Sequence, residues 1–363
     1  MNYKNYIETK SFKELFNSNI KKHSIYNLIA NKFILIFEPN KYHHECSPGF
    51  SKYFIDLGYN VDLLIHRNGI DSFYLFDGTK NIRLFIFKNL KHIQRKTKKL
   101  SRIMKKYDFV LVQSTDQKRK DLYINLKFLK RNNTIFVFHE ITFAERIYSK
   151  YFNGNRIWTL GNMSKGKQVN PHYFGNIKIR ELNSKTRFFM TSTAHRSYYY
   201  LIETVMKLYE NNFSFEIIIT GRSKRFLKQK IPECLHKIFK FKSKVSFLEL
   251  YRDIESSDFI IIPLNPKSKN DNLYKTTKVT GSMQLVLGFL KPALINKKFS
   301  DFYNLNNKNS LIYNNHNLYD VMKKAINMNN KEYKILQSNL YKLENKIYNA
   351  SIDNIIKTID EKN

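Results

Sequence analysis

Short apolar runs alternate with amphipathic stretches along most of the chain. In the N-terminal half, the run Phe33–Phe37 predicts a strand buried on both faces, as in parallel sheets. Pro48 and Gly49 introduce a segment with helical spacing that stops at Gly58, and residues 61–65 predict the next strand. This order predicts a βαβ unit, whose ligand-binding edge is the carboxyl end of its strands.

The same alternation continues on both sides of one interruption. In residues 153–175 it dissolves into Gly, Asn, Ser and Lys, and we place an inter-domain linker there. The further predicted strands are 82–87, 109–112, 135–138, 187–192, 215–220 and 258–264. The further predicted helices are 93–106, 122–129, 198–209, a basic segment from 222 to about 242, 249–256, and a last helix that runs to the C-terminus. The sequence therefore predicts an α/β protein with two similar halves.

One stretch, residues 275–296, has the pattern of an anion site. A loop leads to Gly281, an apolar-faced helix follows, and Pro292 precedes a short buried strand. A helix whose first turn carries Thr280, Gly281 and Ser282 has free backbone N–H groups and a positive dipole end, which suit a phosphate. Lys275 and Lys278 add positive charge. An ordinary capped helix that binds nothing is the alternative interpretation.

The composition limits the classes of protein to which the chain can belong. The chain has 363 residues, 63 Lys and Arg against 30 Asp and Glu, and a formal charge of +33. The basic residues recur among aromatic and aliphatic ones, which indicates a globular chain with a basic surface. Its two cysteines, Cys46 and Cys234, form no zinc-type pattern, so we expect neither a disulfide framework nor a structural zinc site. No signal-like or membrane-spanning apolar run is present, so we expect a cytoplasmic protein.

Several motifs follow the order seen in one enzyme family. In the first half, Ser47-Pro48-Gly49 precedes a predicted helix, and residues 57–59 precede a predicted strand. The second half contains four further motifs in order: residues 218–221, Val-x-Phe at 245–247, Ser257-Asp258, and Gly288-Phe289-x-Lys291-Pro292. Over residues 33–313 the chain thereby resembles the nucleotide-sugar-dependent glycosyltransferases of the GT-B fold, of the bacterial surface-polysaccharide type in families 1 and 4.

The resemblance implies two Rossmann-like parallel-sheet domains that face each other across a cleft. Residues 1–165 would form the acceptor-side domain and residues 166–335 the nucleotide-sugar domain. Residues 336–363 would form a C-terminal helix that can cross back to the first domain. The co-substrate would be a nucleotide-diphosphate sugar, with no further cofactor.

The chain also departs from the family pattern. Many retaining members carry two Glu residues around Gly-Phe-Gly on the phosphate-binding helix, whereas no Glu lies between Glu255 and Glu332 here. No Asp-x-Asp occurs, so the resemblance implies no metal site. Backbone N–H groups, hydroxyls, Lys and Arg would then stabilise the leaving diphosphate.

Site residues are assigned by role. The resemblance places a cation at Arg196 for the diphosphate, which Gly221, Arg222 and the 275–282 stretch would complete. It also places the nucleobase against Phe247, Leu248 and Glu249, and its glycine loop at Pro48 and Gly49.

A base must take the acceptor hydroxyl's proton if the enzyme inverts configuration. His139, at the end of a predicted buried strand, is the first candidate because imidazole titrates near neutral pH. His44 and Glu45, in the loop after Phe33–Phe37, and Glu140, next to His139, are the other candidates, and His172 in the linker could also turn into the cleft. For His139, the alternative interpretation is a loop histidine bonded to a backbone carbonyl.

The basic segments 95–106 and 222–244 are compatible with more than one anionic partner. The predicted function is transfer of a sugar to a surface polysaccharide, lipid-linked glycan or other glycoconjugate, with an anionic membrane surface at the inner face of the cell membrane as a further partner. A nucleotide-sugar 2-epimerase on the same fold, and a basic nucleic-acid-binding protein, are the alternatives. No recognised nucleic-acid motif supports the latter.

Overall fold

A computed structural model describes residues 8–16, 32–40, 43–76, 82–115, 133–142, 156–163, 166–192, 198–221, 231–314 and 316–361. The chain divides into two compact units. The first contains residues 1–176 and 348–363, and the second contains residues 177–347. The predicted boundary lay at 165/166; the observed division lies at 176/177, and the last sixteen residues group with the first unit.

The first unit is built on an eight-stranded parallel sheet. Its strands are β1 (Glu8–Ser11), β2 (Phe33–Phe37), β3 (Asn60–His66), β4 (Ile82–Phe87), β5 (Phe109–Val112), β6 (Thr134–Phe138), β7 (Ile157–Thr159) and β8 (Lys167–Gln168). The strand order is β1-β4-β3-β2-β5-β6-β7-β8. Its described helices are α1 (Ser47–Asp56), α2 (Leu90–Arg95) and α3 (Thr97–Met104).

The second unit has a six-stranded parallel sheet. Its strands are β9 (Thr186–Ser192), β10 (Phe215–Gly221), β11 (Phe239–Lys242), β12 (Phe259–Ile262), β13 (Ala293–Asn296) and β14 (Leu311–Tyr313), in the order β11-β10-β9-β12-β13-β14. Its described helices are α4 (Tyr199–Glu210), α5 (Phe247–Glu255), α6 (Lys269–Asn272), α7 (Gly281–Gly288), α8 (Lys297–Ser300), α9 (Leu318–Ile326) and the long α10 (Asn330–Asp360). Residues of α10 from Tyr348 onward belong to the first unit.

These sheets confirm the predicted fold class, because both have the parallel, helix-connected topology of Rossmann-like domains. The continuous apolar runs in the sequence explain this topology, because they form strands that are buried on both faces. Every residue of β2 and β12 is buried, as expected for strands with helices on both faces.

Two predicted helices are corrected. The helix at 93–106 is two helices, interrupted at Lys96, whose backbone (φ −112°, ψ 18°) is not helical. The basic segment predicted as a helix to about residue 242 contains strand β11, because Phe239 is buried against β10 in the ladder. The predicted helix at 122–129 lies outside the described residues.

The stretch predicted as the linker contributes β7 and β8 to the first sheet. Trp158 of β7 is fully buried, with its ring stacked 6.3 Å and 6.2 Å from the rings of Phe50 and Phe54 on α1. Its Nε1 donates to Thr358 Oγ1 of α10 (3.1 Å). The end of α10 therefore covers this side of the first sheet.

Candidate functional site

The strand order reverses once in each sheet, between β2 and β5 in the first unit and between β9 and β12 in the second. At such a point the connections leave toward opposite faces, and a crevice opens outside the carboxyl ends of the strands. Most predicted site residues that the structure describes lie at these two edges.

The edge of the first unit holds a buried carboxyl group. Glu38 follows β2 directly and has no exposed surface. Ser114 Oγ donates a hydrogen bond to its Oε2, and Asn40 N donates one to its Oε1; each donor–acceptor distance is 2.6 Å. Burial raises the pKa of Glu38 to about 8, against the hydrogen bonds that favour its charged form.

Three further titratable groups lie beside it. His43 Nδ1 is 3.4 Å from Glu45 Oε1, and the rings of His43 and His139 are 4.7 Å apart. Burial opposes ionisation of Glu45, but the hydrogen bond and charge of His43, aided by His139, lower its pKa below the ordinary value. We call His43, Glu45 and His139 the acid–base cluster; Glu38 lies beside it.

The remaining predicted groups of this edge have packing roles. His44 is fully buried, and its ring lies so close to Gly69 that a Cβ there would be 2.4 Å from Cγ. Burial lowers the pKa of His44 to about 3, so its ring is neutral and poorly suited to accept a proton at neutral pH. Pro48 and Gly49 lie in the first turn of α1, where a Cβ on Gly49 would be 2.4 Å from the carbonyl of Pro171. Gly49 therefore allows a close backbone approach.

The edge of the second unit carries the predicted anion site. Thr280 is the N-cap residue of α7, and its side chain makes no capping hydrogen bond. The first turn contains no acidic residue, and no described atom lies within 4 Å of a Cβ placed on Gly281. The buried Ser282 bonds through Oγ to Thr191 Oγ1 on β9 (3.1 Å). The turn therefore presents backbone N–H groups beside the end of β9 with open space in front, a geometry suited to an anion.

Aromatic rings hold the two predicted lysines. Lys275 Nζ lies 5.3 Å from the centre of the Phe299 ring, and Lys278 Nζ lies 5.3 Å from that of Tyr274. Both precede α7 within one short segment, so their charge adds to the positive end of the helix.

Other donor-site candidates are less defined. Gly221 ends β10 with φ +138°, where a Cβ would be 2.4 Å from the carbonyl oxygen of Ser192. The chain therefore needs glycine at this strand end. Arg196 and Arg222 lie outside the described residues.

The predicted base pocket begins helix α5. Ser246 and Glu249 form a reciprocal capping box, so the Glu249 carboxylate is occupied at the helix N-terminus. The ring of Phe247 lies 6.0 Å from that of buried Tyr251, and Leu248 is partly exposed.

A cavity of about 230 Å³ lies at the carboxyl edge of the second sheet. Tyr198 and Tyr200, which follow β9, line it together with Pro263 after β12, Asn296 at the end of β13 and Tyr313 at the end of β14. Because it touches the connections of both β9 and β12, the cavity belongs to the crevice at the reversal of strand order. The sequence interpretation missed it.

Sequence reasoning also missed Glu38 and His43. Glu38 stands at the carboxyl end of the first buried strand, a position that by itself signals a site. His43 is marked only by its backbone, which is left-handed (φ 68°) and so invisible in the sequence. Among the described residues, no group of three His, Cys, Asp or Glu side chains could hold a metal ion.

Comparisons with known proteins agree on the fold. No protein-family model and no curated protein matches the chain. Among solved structures, a glycosyltransferase from Rickettsia africae is similar with a TM-score of 0.54 and 13% identity, over 92% of this chain and 99% of that one. Anabaena HepE, solved with UDP and glucose, is similar with a TM-score of 0.58 and 12% identity, over 91% of this chain and 100% of that one.

The likeness extends over almost the whole length of both proteins while the sequences have diverged. The chain thus has the fold of the GT-B glycosyltransferases, with two Rossmann-like units in one polypeptide.

Proposed function

We propose that this protein is a glycosyltransferase that moves a sugar from a nucleotide diphosphate to a hydroxyl group of an acceptor glycan. The acceptor oxygen forms a bond to the anomeric carbon, the bond from that carbon to the diphosphate breaks, and the hydroxyl proton passes to a base. The reaction therefore needs a group that stabilises the leaving diphosphate and a group that receives a proton.

The second unit would supply the first role. The N–H groups at the start of α7 meet the diphosphate oxygens, and Lys275 and Lys278 add charge. The cavity beside β9 and β12 would receive another part of the donor. The proposal assigns no divalent ion, so a chelator should leave the rate unchanged.

The acid–base cluster of the first unit would supply the second role. His43 and Glu45 remain partly accessible, with 44% and 21% of their side chains exposed, while Glu38 is enclosed. An ionised Glu45 beside His43 orients the imidazole and stabilises it once it has taken a proton, and His139 packs against the same ring.

The observation that carries the proposal is that, on a GT-B fold, one sheet edge suits an anion and the other holds acid–base groups. One sheet presents an anion-suited helix end at its reversal point, and the other presents acid–base groups at the equivalent point. These are the two requirements of glycosyl transfer. HepE, one of the structural neighbours, was solved with UDP-glucose, which makes uridine nucleotides the first probes.

The test is nucleotide-induced thermal stabilisation in variants of Gly281. Because Gly281 is the first residue of α7, proline there removes one N–H group without breaking the helix. We expect UDP, GDP, CDP or their sugars to stabilise the wild type, and Gly281→Pro to weaken binding about 10-fold or more.

The matched control is Gly281→Ala, which adds a methyl group in open space and keeps the N–H group. It should bind as the wild type does. If no nucleotide stabilises the wild type, the proposed function fails. If both variants bind nucleotide as the wild type does, the donor does not bind at the start of α7.

A second candidate function has one observation in its favour. A nucleotide-sugar 2-epimerase needs paired carboxyl groups as acid and base, and Glu38 and Glu45 have pKa values displaced in opposite directions. Incubation of UDP-N-acetylglucosamine with the protein and no acceptor separates the two. An isomerised sugar in the NMR spectrum would favour the epimerase.

The basic face of α2 and α3 bears on the acceptor. Lys91, Arg95, Lys98, Lys99 and Arg102 are exposed there, while the opposite side of these helices is buried. We infer that this face holds the enzyme on an anionic membrane, where a lipid-linked or surface glycan would be the acceptor. No helix in the described part of the chain is long and apolar enough to span a bilayer.

Sedimentation with vesicles tests that inference. The wild type should bind phosphatidylglycerol vesicles and not phosphatidylcholine vesicles, and Lys98→Glu with Lys99→Glu should weaken binding by about 30-fold or more, at about 1 kcal/mol for each of the two cations removed near the surface. Equal binding to both vesicle types would exclude recognition of anionic lipid by this face, and salt-sensitive binding to RNA without any nucleotide effect would favour the nucleic-acid alternative.

A further inference from the structure

The connection between β2 and α1 is tied at both ends to consecutive residues of one neighbouring strand end. At its start, Glu38 Oε2 accepts a hydrogen bond from Ser114 Oγ at a distance of 2.6 Å. At its end, Ser47 Oγ donates a hydrogen bond to Gln113 Oε1 at a distance of 2.8 Å. Gln113 and Ser114 follow β5 directly, so these two bonds span the reversal point of the sheet.

This clamp holds a strained backbone. The second carboxyl oxygen of Glu38 accepts from Asn40 N (2.6 Å), two residues into the connection. Farther along, His43 has φ 68°, a left-handed conformation that is unfavourable for a non-glycine residue and persists where the surroundings enforce it. The bonds of Glu38 and Ser47 are such surroundings, and His43 and Glu45 lie between them.

The environment of Glu38 favours its neutral form. Its side chain is fully buried, and no Lys or Arg of the described residues forms an ion pair with it. Among the described residues, the titratable groups that face it are His43, Glu45 and Cys46. An uncompensated buried carboxylate is costly, which agrees with a pKa raised to about 8 by burial.

We propose that Glu38 is a positioning residue of the acid–base cluster, which in its neutral form fixes the connection that presents His43 and Glu45. The proposal rests on the proposed function of this edge. It assigns Glu38 no contact with the sugar. Its ionisation would introduce a second negative charge beside Glu45 and disturb the orientation of His43.

Two substitutions at this position separate the neutral role from an ionised one. In Glu38→Gln, the amide oxygen can accept from Asn40 N and the amide nitrogen can donate to Ser114 Oγ, so the clamp survives. In Glu38→Ala both bonds are lost. An ionised carboxylate that acted as a base would be lost in both variants alike.

The experiment measures glycosyl transfer as a function of pH. At pH 7, Glu38→Gln should retain a kcat close to the wild type, while Glu38→Ala should lose about 100-fold in kcat, with the KM for the nucleotide sugar unchanged, because the catalytic groups are misplaced. Above about pH 8 the wild-type rate should fall, and Glu38→Gln should keep its rate. A glutamine variant as damaged as the alanine variant at pH 7 would overturn the proposal.

A readout without substrate keeps this test separate from the proposed function. In wild-type protein labelled with ¹³C at the glutamate carboxyl groups, one signal that is absent from Glu38→Gln should titrate near pH 8. Titration of that signal near its ordinary value of 4.5 would overturn the neutral role even if transfer is observed. A titration near pH 8 in a protein that no nucleotide stabilises would retain the buried acid and reject the glycosyltransferase.

Discussion

Apart from the edge strands β1 and β8, the two sheets share the same succession of strands outward from a reversal point, yet they differ in how an arginine–carboxylate pair between neighbouring strands and the groups at the sheet edge are exposed. In the first unit both are buried: Arg83 binds Asp62 through two bonds of 2.7 and 2.6 Å between β4 and β3, and Glu38 is enclosed at the sheet edge. The second unit keeps a comparable strand-to-strand pair, Arg187 with Glu216, partly exposed. At its edge it presents backbone N–H groups and small side chains.

The difference shows that a shared topology defines where a site can form, while burial decides which chemistry the site supports. A carboxyl group at a water-excluded edge acquires a displaced pKa and can act as an acid or base near neutral pH. A helix N-terminus keeps its partial charge at any pH, so it can hold an anion without titrating.

Substitution of Glu45 should cause the largest loss of activity. Glu45→Gln removes the negative charge that orients His43 and stabilises its protonated ring, and we expect transfer to fall by about 100-fold or more, because general base catalysis by His43 contributes about 100- to 10,000-fold. Nucleotide binding, measured by thermal shift, should be unchanged. A loss of nucleotide binding in this variant would show that the two roles are not divided between the units.

The two Arg–carboxylate pairs, Arg83 with Asp62 and Arg187 with Glu216, allow the stability contribution of a buried pair to be compared with that of a partly exposed pair. Asp62→Ala leaves Arg83 buried without its partner and Tyr107 without the acceptor of its 2.6 Å bond, so we expect a loss of about 3–5 kcal/mol in the free energy of unfolding. Glu216→Ala should cost about 1 kcal/mol or less, because that pair is screened by water. Urea unfolding measures both, and equal costs would remove the distinction between the units.

The buried acid of the first unit predicts a pH window for stability. The native state of Glu38 holds its proton up to about pH 8, whereas the unfolded chain releases it near 4.5. The native state therefore binds more protons between these values, and its contribution to stability declines as the pH rises from about 4.5 to about 8, then levels off. The melting temperature of Glu38→Gln should lack this decline; an unchanged decline would assign it to another group.

Lys291 in the second unit predicts the opposite trend at higher pH. Burial lowers its pKa to about 8 from 10.5, and its Nζ donates to the carbonyl of Glu255 (2.9 Å). The unfolded chain binds the proton more tightly, so stability should rise as the pH increases from about 8 to 10.5. Lys291→Met should flatten that rise, and melting curves of the wild type and variant across this range give the comparison.

Local pattern predicted the interior strands well. Strands β2, β4 and β5 lie at their predicted residues because continuous apolar runs bounded by polar residues leave little choice of element. The loop, helix and strand of residues 275–296 were also predicted, because glycine and proline mark their ends. The short β7 and β8 were missed, since the buried Trp158 packs against Phe50 and Phe54 and bonds to Thr358, all of them distant in the sequence.

The candidate site was predicted in part. Glu45 and His139 were identified because both follow buried strands, and the structure brings them to one edge. Glu38 was missed because its environment depends on Ser114, 76 positions away. His44, one residue from the partly exposed His43, is buried against Gly69, a distinction that spacing alone does not reveal.

The amino-acid sequence by itself determined the class of fold, the interior strands and the helix end suited to an anion, because these depend on apolar periodicity and on residues adjacent in the chain. Only the tertiary structure decided which titratable groups meet, which of them are enclosed and how their pKa values are displaced. Desolvation and hydrogen bonding act through space, and the groups that impose them on Glu38 and Trp158 come from distant segments.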